Sequence, residues 1–91
     1  HFHQRIQELK QHHQARLEEV AHILSNGVPQ SAFAVASQMK WDIKSDSWEA
    51  FPIAQKWFAT GEALAHLRFL ERDGRLDRHM EAGVVAFGLK A

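Results

Sequence analysis

Apolar side chains recur every three to four residues along the first quarter of the chain, with charged and amide residues between them. They are Ile6, Leu9, Leu17, Val20, Ile23 and Leu24. This period predicts a long amphipathic first helix over about 3–25. Its N-terminal half is weakly apolar around His12 and His13, so we expect that half to project from the domain or to lean on a neighbour. Asn26-Gly27 predicts the end of the helix.

A second, shorter helix is predicted over about 30–40, opened by Pro29. Its apolar positions are mostly small, and they are Ala32, Val35, Ala36 and Met39. Small side chains let a neighbouring helix approach closely. Residues 41–51 contain two tryptophans and a phenylalanine without a clear period, which predicts a loop with one helical turn begun by Asp46 or Ser47.

The third predicted helix covers about 52–72, with Pro52 placed well for its first turn. One apolar line and a second set beside it are expected on this helix: Ile53, Trp57, Leu64 and Leu67, then Ala54, Phe58, Ala65 and Phe69. Gly61 lies in its middle, where glycine costs about 1 kcal/mol relative to alanine. We therefore expect another element to approach the backbone closely there.

The last predicted element is a β-hairpin over about 75–89, after Gly74 ends the third helix. Its loop is Glu81-Ala82-Gly83, and the alternation of Val85, Phe87 and Leu89 is typical of a half-buried strand. Three helices followed by a C-terminal hairpin predict a winged helix, a mainly α, α+β fold that lacks only the optional first strand. The whole chain, 1–91, is expected to form this single domain.

Composition narrows the possible functions. The 91 residues contain no cysteine, which excludes disulfides and thiolate chemistry and favours a cytoplasmic location. Eleven basic residues balance eleven acidic ones, and such a balance is uncommon in free-standing nucleic-acid binders. No apolar run is long enough for a membrane span, and no signal peptide is recognisable. The missing initiator methionine suggests a piece cut from a larger protein.

No catalytic or metal site is predicted. The seven histidines are His1, His3, His12, His13, His22, His66 and His79. A zinc site needs three or four converging ligands. Adjacent His12 and His13 would point about 100° apart on a helix, at 3.6 residues per turn. The chain also lacks a Gly-x-Ser-x-Gly turn and a glycine-rich phosphate loop. We therefore expect no catalytic residues, no bound metal and no enzymatic activity from this chain alone.

A nucleic-acid surface is the main alternative function. Its candidate contacts are Lys56, Arg68, Arg72, Arg75 and Arg78, near the third helix and the hairpin. Glu71, Asp73 and Asp77 alternate with the four arginines and leave a local net charge of plus one. A helix that reads a groove also exposes amides and arginines in its first turns, whereas this one carries Trp57 and Phe58 there. We therefore interpret these arginines as part of a surface of salt bridges.

Large aromatic side chains are concentrated in one part of the sequence. They are Trp41, Trp48, Phe51, Trp57 and Phe58. Core packing accounts for most of them, but a domain this small is not expected to bury all five, and the rest would form a patch for a partner. We predict that Trp41, Trp48, Phe51 and Trp57 are core or inter-domain contacts. His66 would either satisfy a buried carbonyl or face the partner, and the core is favoured.

Residues along nearly the whole chain resemble a known domain family. They are His12-His13, Arg16-Leu17, Gly27, Pro29, Trp41, Trp48, Phe51-Pro52, Gly61-Glu62, Ala65-His66-Leu67, Leu70, Gly74 and Leu76. The most specific part is the Ala-His-Leu run that precedes the hairpin, with Gly74 in between. In these residues the chain is similar to the winged-helix domain at the C-terminus of metallo-β-lactamase-fold hydrolases.

The resemblance implies a parent enzyme with a binuclear metal site, expected to hold zinc, in an αββα domain upstream. The His-x-His-x-Asp-His metal motif of such enzymes is not in this chain, because His1-Phe2-His3 lacks the Asp-His that should follow. The chain is then a non-catalytic accessory domain that packs on the catalytic domain and shapes substrate access. Relatives hydrolyse thioesters, lactones or RNA, so no substrate class is implied. Self-association through the aromatic patch is a further possibility.

Overall fold

The computed structural model describes residues 2–41 and 47–90, with side chains from residue 7 onward. Its elements are α1 (Phe2–Ile23), a 3-10 turn (Leu24–Asn26), β1 (Gln30–Ser31), α2 (Ala32–Gln38), α3 (Ile53–Arg72), β2 (Leu76–Glu81) and β3 (Val84–Leu89). His1, the side chains of His3 and Ile6, and Asp46 of the predicted turn lie outside this description. A hydrogen-bonded turn does begin at Ser47, whose carbonyl accepts from Ala50 N at 3.2 Å.

Helix α1 is attached to the domain by its C-terminal half. Residues 7–15 are all exposed, and burial begins at Leu17 and Val20. The N-terminal half is therefore largely exposed from residue 7 onward, although His13 contacts His66 and Phe69 of α3. The helix tightens into the 3-10 turn and ends at Gly27, whose φ is +82° and whose N–H donates to Leu24 O at 3.2 Å.

The prediction that Pro29 opens a helix and that the first strand is missing was wrong. Gln30 and Ser31 pair with Phe87 and Ala86 of β3 as a two-residue antiparallel strand. Pro29 packs on the sheet, since a Cβ at Gly88 would lie 3.3 Å from the Pro29 ring. Helix α2 starts only after this strand, where the Ser31 hydroxyl caps it by accepting from Ala34 N at 3.1 Å.

Helix α3 buries a narrow face composed largely of small residues. The buried positions are Ala59, Ala63, His66, Leu67 and Leu70. Their spacing of three or four residues follows one side of a helix. Only Leu67 of the expected apolar line is in the core, whereas Ile53 and Trp57 are 77% and 76% exposed. Most of this line lies outside the core because α2 packs on α3, and close packing of two helices selects alanines rather than large side chains.

The expectation of a close backbone approach at Gly61 was also wrong for the described residues. A Cβ built on Gly61 would meet no atom within 4 Å. The glycine therefore leaves an open position on the exposed side of α3.

The C-terminal hairpin forms as predicted, except that Glu81 pairs with Val84 at the end of β2 and does not belong to the loop. Strands β2 and β3 pair from Leu76–Leu89 to Glu81–Val84, and the antiparallel sheet has the order β1-β3-β2. Ala82 and Gly83 form its two-residue turn with φ of 52° and 79°. Positive φ at both positions is typical of a type I′ turn. Phe87 and Leu76 face the core, 1% and 2% exposed.

Ala82 gives the first testable prediction, because a left-handed backbone costs alanine about 1–2 kcal/mol. Ala82→Asn, which creates the preferred Asn-Gly turn, is expected to raise the free energy of unfolding by up to about 1 kcal/mol. Urea unfolding followed by circular dichroism measures the change. Ala65→Asn in the middle of α3 is the control and should destabilise by about 0.5 kcal/mol. A loss of stability in Ala82→Asn would contradict the turn assignment.

The three helices and the C-terminal hairpin confirm a mainly helical α+β fold with a winged-helix-like arrangement. In the described part of the chain, none of the helices has the length and apolar character that crossing a membrane requires.

Candidate interaction surface

The predicted aromatic group is divided between the core and the surface. Trp41 and Trp48 are half-buried and pack against the core. Phe51 contacts Trp48, with ring centroids 5.2 Å apart. Trp57 is 76% exposed and lies outside the core cluster. Phe58 is also exposed, at 63%, so Trp57 and Phe58 are the members of the group that are available to a partner.

Trp41 is fixed by a polar network that joins α1 to the end of α2. Its Nε1 donates to Ala36 O at 2.8 Å, and the Arg16 guanidinium lies 4.7 Å from its ring centroid. Arg16 Nη1 also donates to Lys40 O at 2.6 Å and to Glu19 Oε1 at 2.9 Å. Glu19 Oε2 accepts from Lys40 N at 2.7 Å. Each group of this network has a partner, so it positions Trp41 rather than awaiting a ligand.

Glu19→Ala is expected to lower the free energy of unfolding by about 1–2 kcal/mol, because it removes the acceptor of the Lys40 N–H and one of the two acceptors of Arg16. Glu18→Ala is the matched control. Glu18 is 58% exposed in its ion pair with Arg75 at 3.3 Å, and its loss should cost less than about 1 kcal/mol. Chemical denaturation of both variants measures the difference, and equal losses would contradict the role of the network.

Trp48 continues the aromatic layer toward α2. Its ring meets the Phe33 ring edge-on, with centroids 5.5 Å apart. Such edge-to-face pairs contribute about 0.5–1.5 kcal/mol beyond area burial. Phe33 is thereby held on the surface, where it remains 52% exposed. The indole Nε1 of Trp48 is buried without a hydrogen-bond partner in the structure as described.

An apolar depression of about 640 Å³ lies beside the exposed side of α3, and we call it the α3 groove. Its lining residues are Phe33, Ile53, Lys56, Trp57, Thr60, Gly61 and Leu64. The sequence placed Ile53, Trp57 and Leu64 on one apolar line of the third helix and did not single out Phe33. The sequence did contain a signal for an exposed apolar surface, because α3 carries apolar residues on more sides than a small domain can cover.

A second depression, of about 490 Å³, separates α1 from α3, and we call it the histidine groove. Its lining residues are Leu9, His12, His13, Arg16, Trp41, Gln55, Phe58, Glu62 and His66. It is more polar than the α3 groove and contains two of the predicted contact residues, Trp41 and His66.

His66 is buried, 9% exposed, as the sequence favoured. Its Nδ1 lies 2.7 Å from Glu62 O. A carbonyl only accepts, so Nδ1 carries the proton and donates it. The His13 ring lies 5.2 Å from the His66 ring and 5.0 Å from Phe69, measured between centroids. The histidine thus satisfies a carbonyl and links α3 to the projecting half of α1.

Among the side chains that the structure describes, no group of three histidine, aspartate or glutamate residues is arranged to hold a metal ion. These residues therefore do not fit the binuclear site implied for the parent enzyme.

The predicted nucleic-acid contacts are partly occupied by carboxylates. Arg75 pairs with Glu18, and Arg78 donates two hydrogen bonds to Glu71 at 3.0 and 2.9 Å. Lys56 Nζ donates to Glu49 O at 3.3 Å. Arg68 and Arg72 are exposed on the last turns of α3. The five cations do not form one continuous unpaired surface.

Comparisons with known proteins agree with this fold. The family model described as metallo-beta-lactamase-like, C-terminal domain, matches residues 49–90. A beta-lactamase domain protein from Burkholderia ambifaria has a crystal structure that is similar to this chain, with 35% sequence identity and a TM-score of 0.74. The match covers 96% of this chain and 24% of that one. No curated protein gives a match. The chain therefore belongs to the C-terminal domains associated with metallo-β-lactamase-fold proteins.

Proposed function

We propose that this chain is the non-catalytic accessory domain of a metallo-β-lactamase-fold hydrolase, which we call the parent. In the parent the domain packs on the catalytic domain and shapes the entrance through which substrate reaches the metal centre. The binuclear metal site, of zinc, and the hydrolytic chemistry belong to the catalytic domain. This chain contributes surface and rigidity.

The exposed apolar side chains of α3 carry the proposal. Ile53 and Trp57 are 77% and 76% exposed although both sit on a well-formed helix. Burying a large apolar side chain contributes about 1.5–3 kcal/mol relative to leaving it in water. A domain that leaves this contribution unused on one side of a helix is suited to burying that side against another domain.

The length of the related protein supports a partner within the same polypeptide. The chain spans 24% of the Burkholderia ambifaria chain, so about three quarters of that chain lies outside the matched domain. A catalytic domain in such additional length is the partner that we propose for α3. Two tethered domains also bind at high effective concentration, so a modest apolar interface is sufficient.

The first test is the reading frame that contains this chain, together with the activity of its product. We expect His-x-His-x-Asp-His about two hundred residues upstream of His1, as the family resemblance implies. The purified parent should then hydrolyse at least one substrate of the thioester, lactone or RNA class and lose activity on removal of metal. A frame without a catalytic domain would contradict the proposal.

The dependence of binding affinity on salt concentration distinguishes the alternative function, nucleic-acid binding. A domain that binds phosphates through its cations loses affinity linearly in log salt as counterions are released. We expect the purified chain to bind neither duplex DNA nor single-stranded RNA between low and physiological salt. Tight, strongly salt-dependent binding that is lost on Arg68→Ala and Arg72→Ala would instead assign the domain to nucleic acid.

A further inference from the structure

We propose that the α3 groove is a docking site for one amphipathic helix of the catalytic domain, and that this helix places a carboxylate beside Lys56. The inference rests on the proposed function and extends it by naming the face and the chemistry of its occupant. It follows from the shape of the groove, its apolar walls and its single charge.

The floor of the groove is open at Gly61. A Cβ there would meet nothing within 4 Å, so an incoming backbone can come nearer to α3 at this turn than at any turn with a side chain. The neighbouring Thr60 hydroxyl is already used, because it donates to Lys56 O at 2.7 Å. The floor therefore offers few hydrogen-bonding groups to a polar ligand and favours contact with apolar atoms. Helix axes pack about 8–10 Å apart depending on the side chains at the contact, and small residues allow the closer approach.

The walls of the groove are large apolar side chains. Ile53, Trp57 and Leu64 stand on α3 at helical spacing. Phe33 adds a wall from α2, and its edge-on contact with Trp48 holds its ring. A wall that is already held in place reduces the entropy lost on docking. The groove is therefore suited to large apolar side chains three and four residues apart on the partner.

A helix fits this groove better than an extended segment. A strand or loop would bring unpaired backbone N–H and C=O groups against apolar walls, and each such group costs free energy when it is buried without a partner. An α-helix satisfies its backbone internally. The polar lining groups of the groove are confined to Lys56 and Thr60, too few to pair an extended backbone.

Charge favours a partner other than a second copy of this chain. Lys56 is the single charged residue among the described residues that line the groove. Its ammonium donates one hydrogen bond, to Glu49 O, and retains donors for another acceptor. In a two-fold dimer the groove would meet itself, and its lining residues would supply two lysines and no carboxylate. A partner that carries aspartate or glutamate at the rim compensates Lys56 instead.

Carbodiimide coupling of the parent tests the proposal, because this zero-length reagent joins an amine to a carboxylate in contact. The sample mixes ¹⁴N- and ¹⁵N-labelled parent, so that mass spectrometry separates links within one molecule from links between copies. We expect a link from Lys56 to an aspartate or glutamate in a helix of the catalytic domain, within one molecule. Gly61→Leu, which fills the floor, should reduce its yield at least tenfold, whereas Gln55→Leu, about 120° away around α3 on the side of the histidine groove, should leave the yield unchanged.

Each remaining outcome overturns the inference. These outcomes are a Lys56 link only between copies, a link only within residues 1–91, or a link to the catalytic domain that Gly61→Leu leaves intact.

Trp57→Glu is a second variant that places a charge on the wall of the groove and should also abolish the link. Circular dichroism of the 91-residue variants verifies that they fold. If residues of the histidine groove couple to the catalytic domain and Lys56 does not, the inference fails while the proposed function stands. If neither groove couples, both fail.

Discussion

Replacing Leu67 with alanine is expected to lower the free energy of unfolding by about 2–5 kcal/mol, as for other fully buried leucines. Leu67 is 0% exposed on the inner face of α3, within the cluster that also holds Phe87 and Leu24. Small domains have a total stability of about 5–15 kcal/mol, so this single change removes a large share of it. Urea unfolding monitored by circular dichroism measures the loss.

Leu64→Ala is the matched control, since it is the same change less than one helical turn away. Leu64 is 37% exposed on the wall of the α3 groove. Its loss in the 91-residue chain should cost less than about 1 kcal/mol, because a surface substitution leaves no internal cavity. If the two variants were destabilised equally, the assignment of the inner face of α3 would be wrong.

Trp57→Ala is the second prediction with a large expected effect, and it depends on the parent. In the 91-residue chain the change should leave stability nearly unaltered, because Trp57 is 76% exposed. In the parent, loss of a tryptophan at the centre of an interface costs about 2 kcal/mol or more, equivalent to a thirtyfold weaker docked state. Differential scanning calorimetry should show the unfolding of this domain in the parent shifted down by about 10 °C.

Phe58→Ala provides the comparison within the same helix. Phe58 is 63% exposed but lines the histidine groove rather than the α3 groove. We expect its replacement to change the unfolding temperature of the parent much less than Trp57→Ala does. The reverse ranking would move the docking face to the histidine groove. Equal and negligible shifts for both variants would show that neither groove meets the catalytic domain.

Local signals in the sequence predicted the elements that depend on neighbouring residues. The end of α1 at Gly27, the start of α3 after Pro52 and the hairpin around Ala82-Gly83 each follow from the backbone preferences of a few adjacent residues. The short strand β1 does not. Gln30 and Ser31 become a strand only because β3, more than fifty residues later, offers them a pairing edge. No local period carries that information.

Which residues of α3 are buried could not be predicted from the sequence, for a related reason. Large apolar residues occur on several sides of this helix, and periodicity alone favours the largest of them as core. The close approach of α2 instead selects Ala59 and Ala63 for the inner face and leaves Trp57 in solvent. The candidate surface was therefore only partly predictable. Trp57 was predicted as a contact residue. Phe33 was not, because its place in the groove depends on its tertiary contact with Trp48.

The central claim is that the exposed side of α3 is covered by the catalytic domain of the parent. Carbene photolabelling with mass spectrometry measures it directly, since the label inserts into side chains in proportion to their contact with solvent. Labelling of Ile53 and Trp57 should be high in the 91-residue chain, where they are 77% and 76% exposed, and several-fold lower in the parent. Arg68, on an exposed turn outside both grooves, should label equally in the two proteins. Equal labelling of Ile53 and Trp57 in the chain and in the parent would contradict the account.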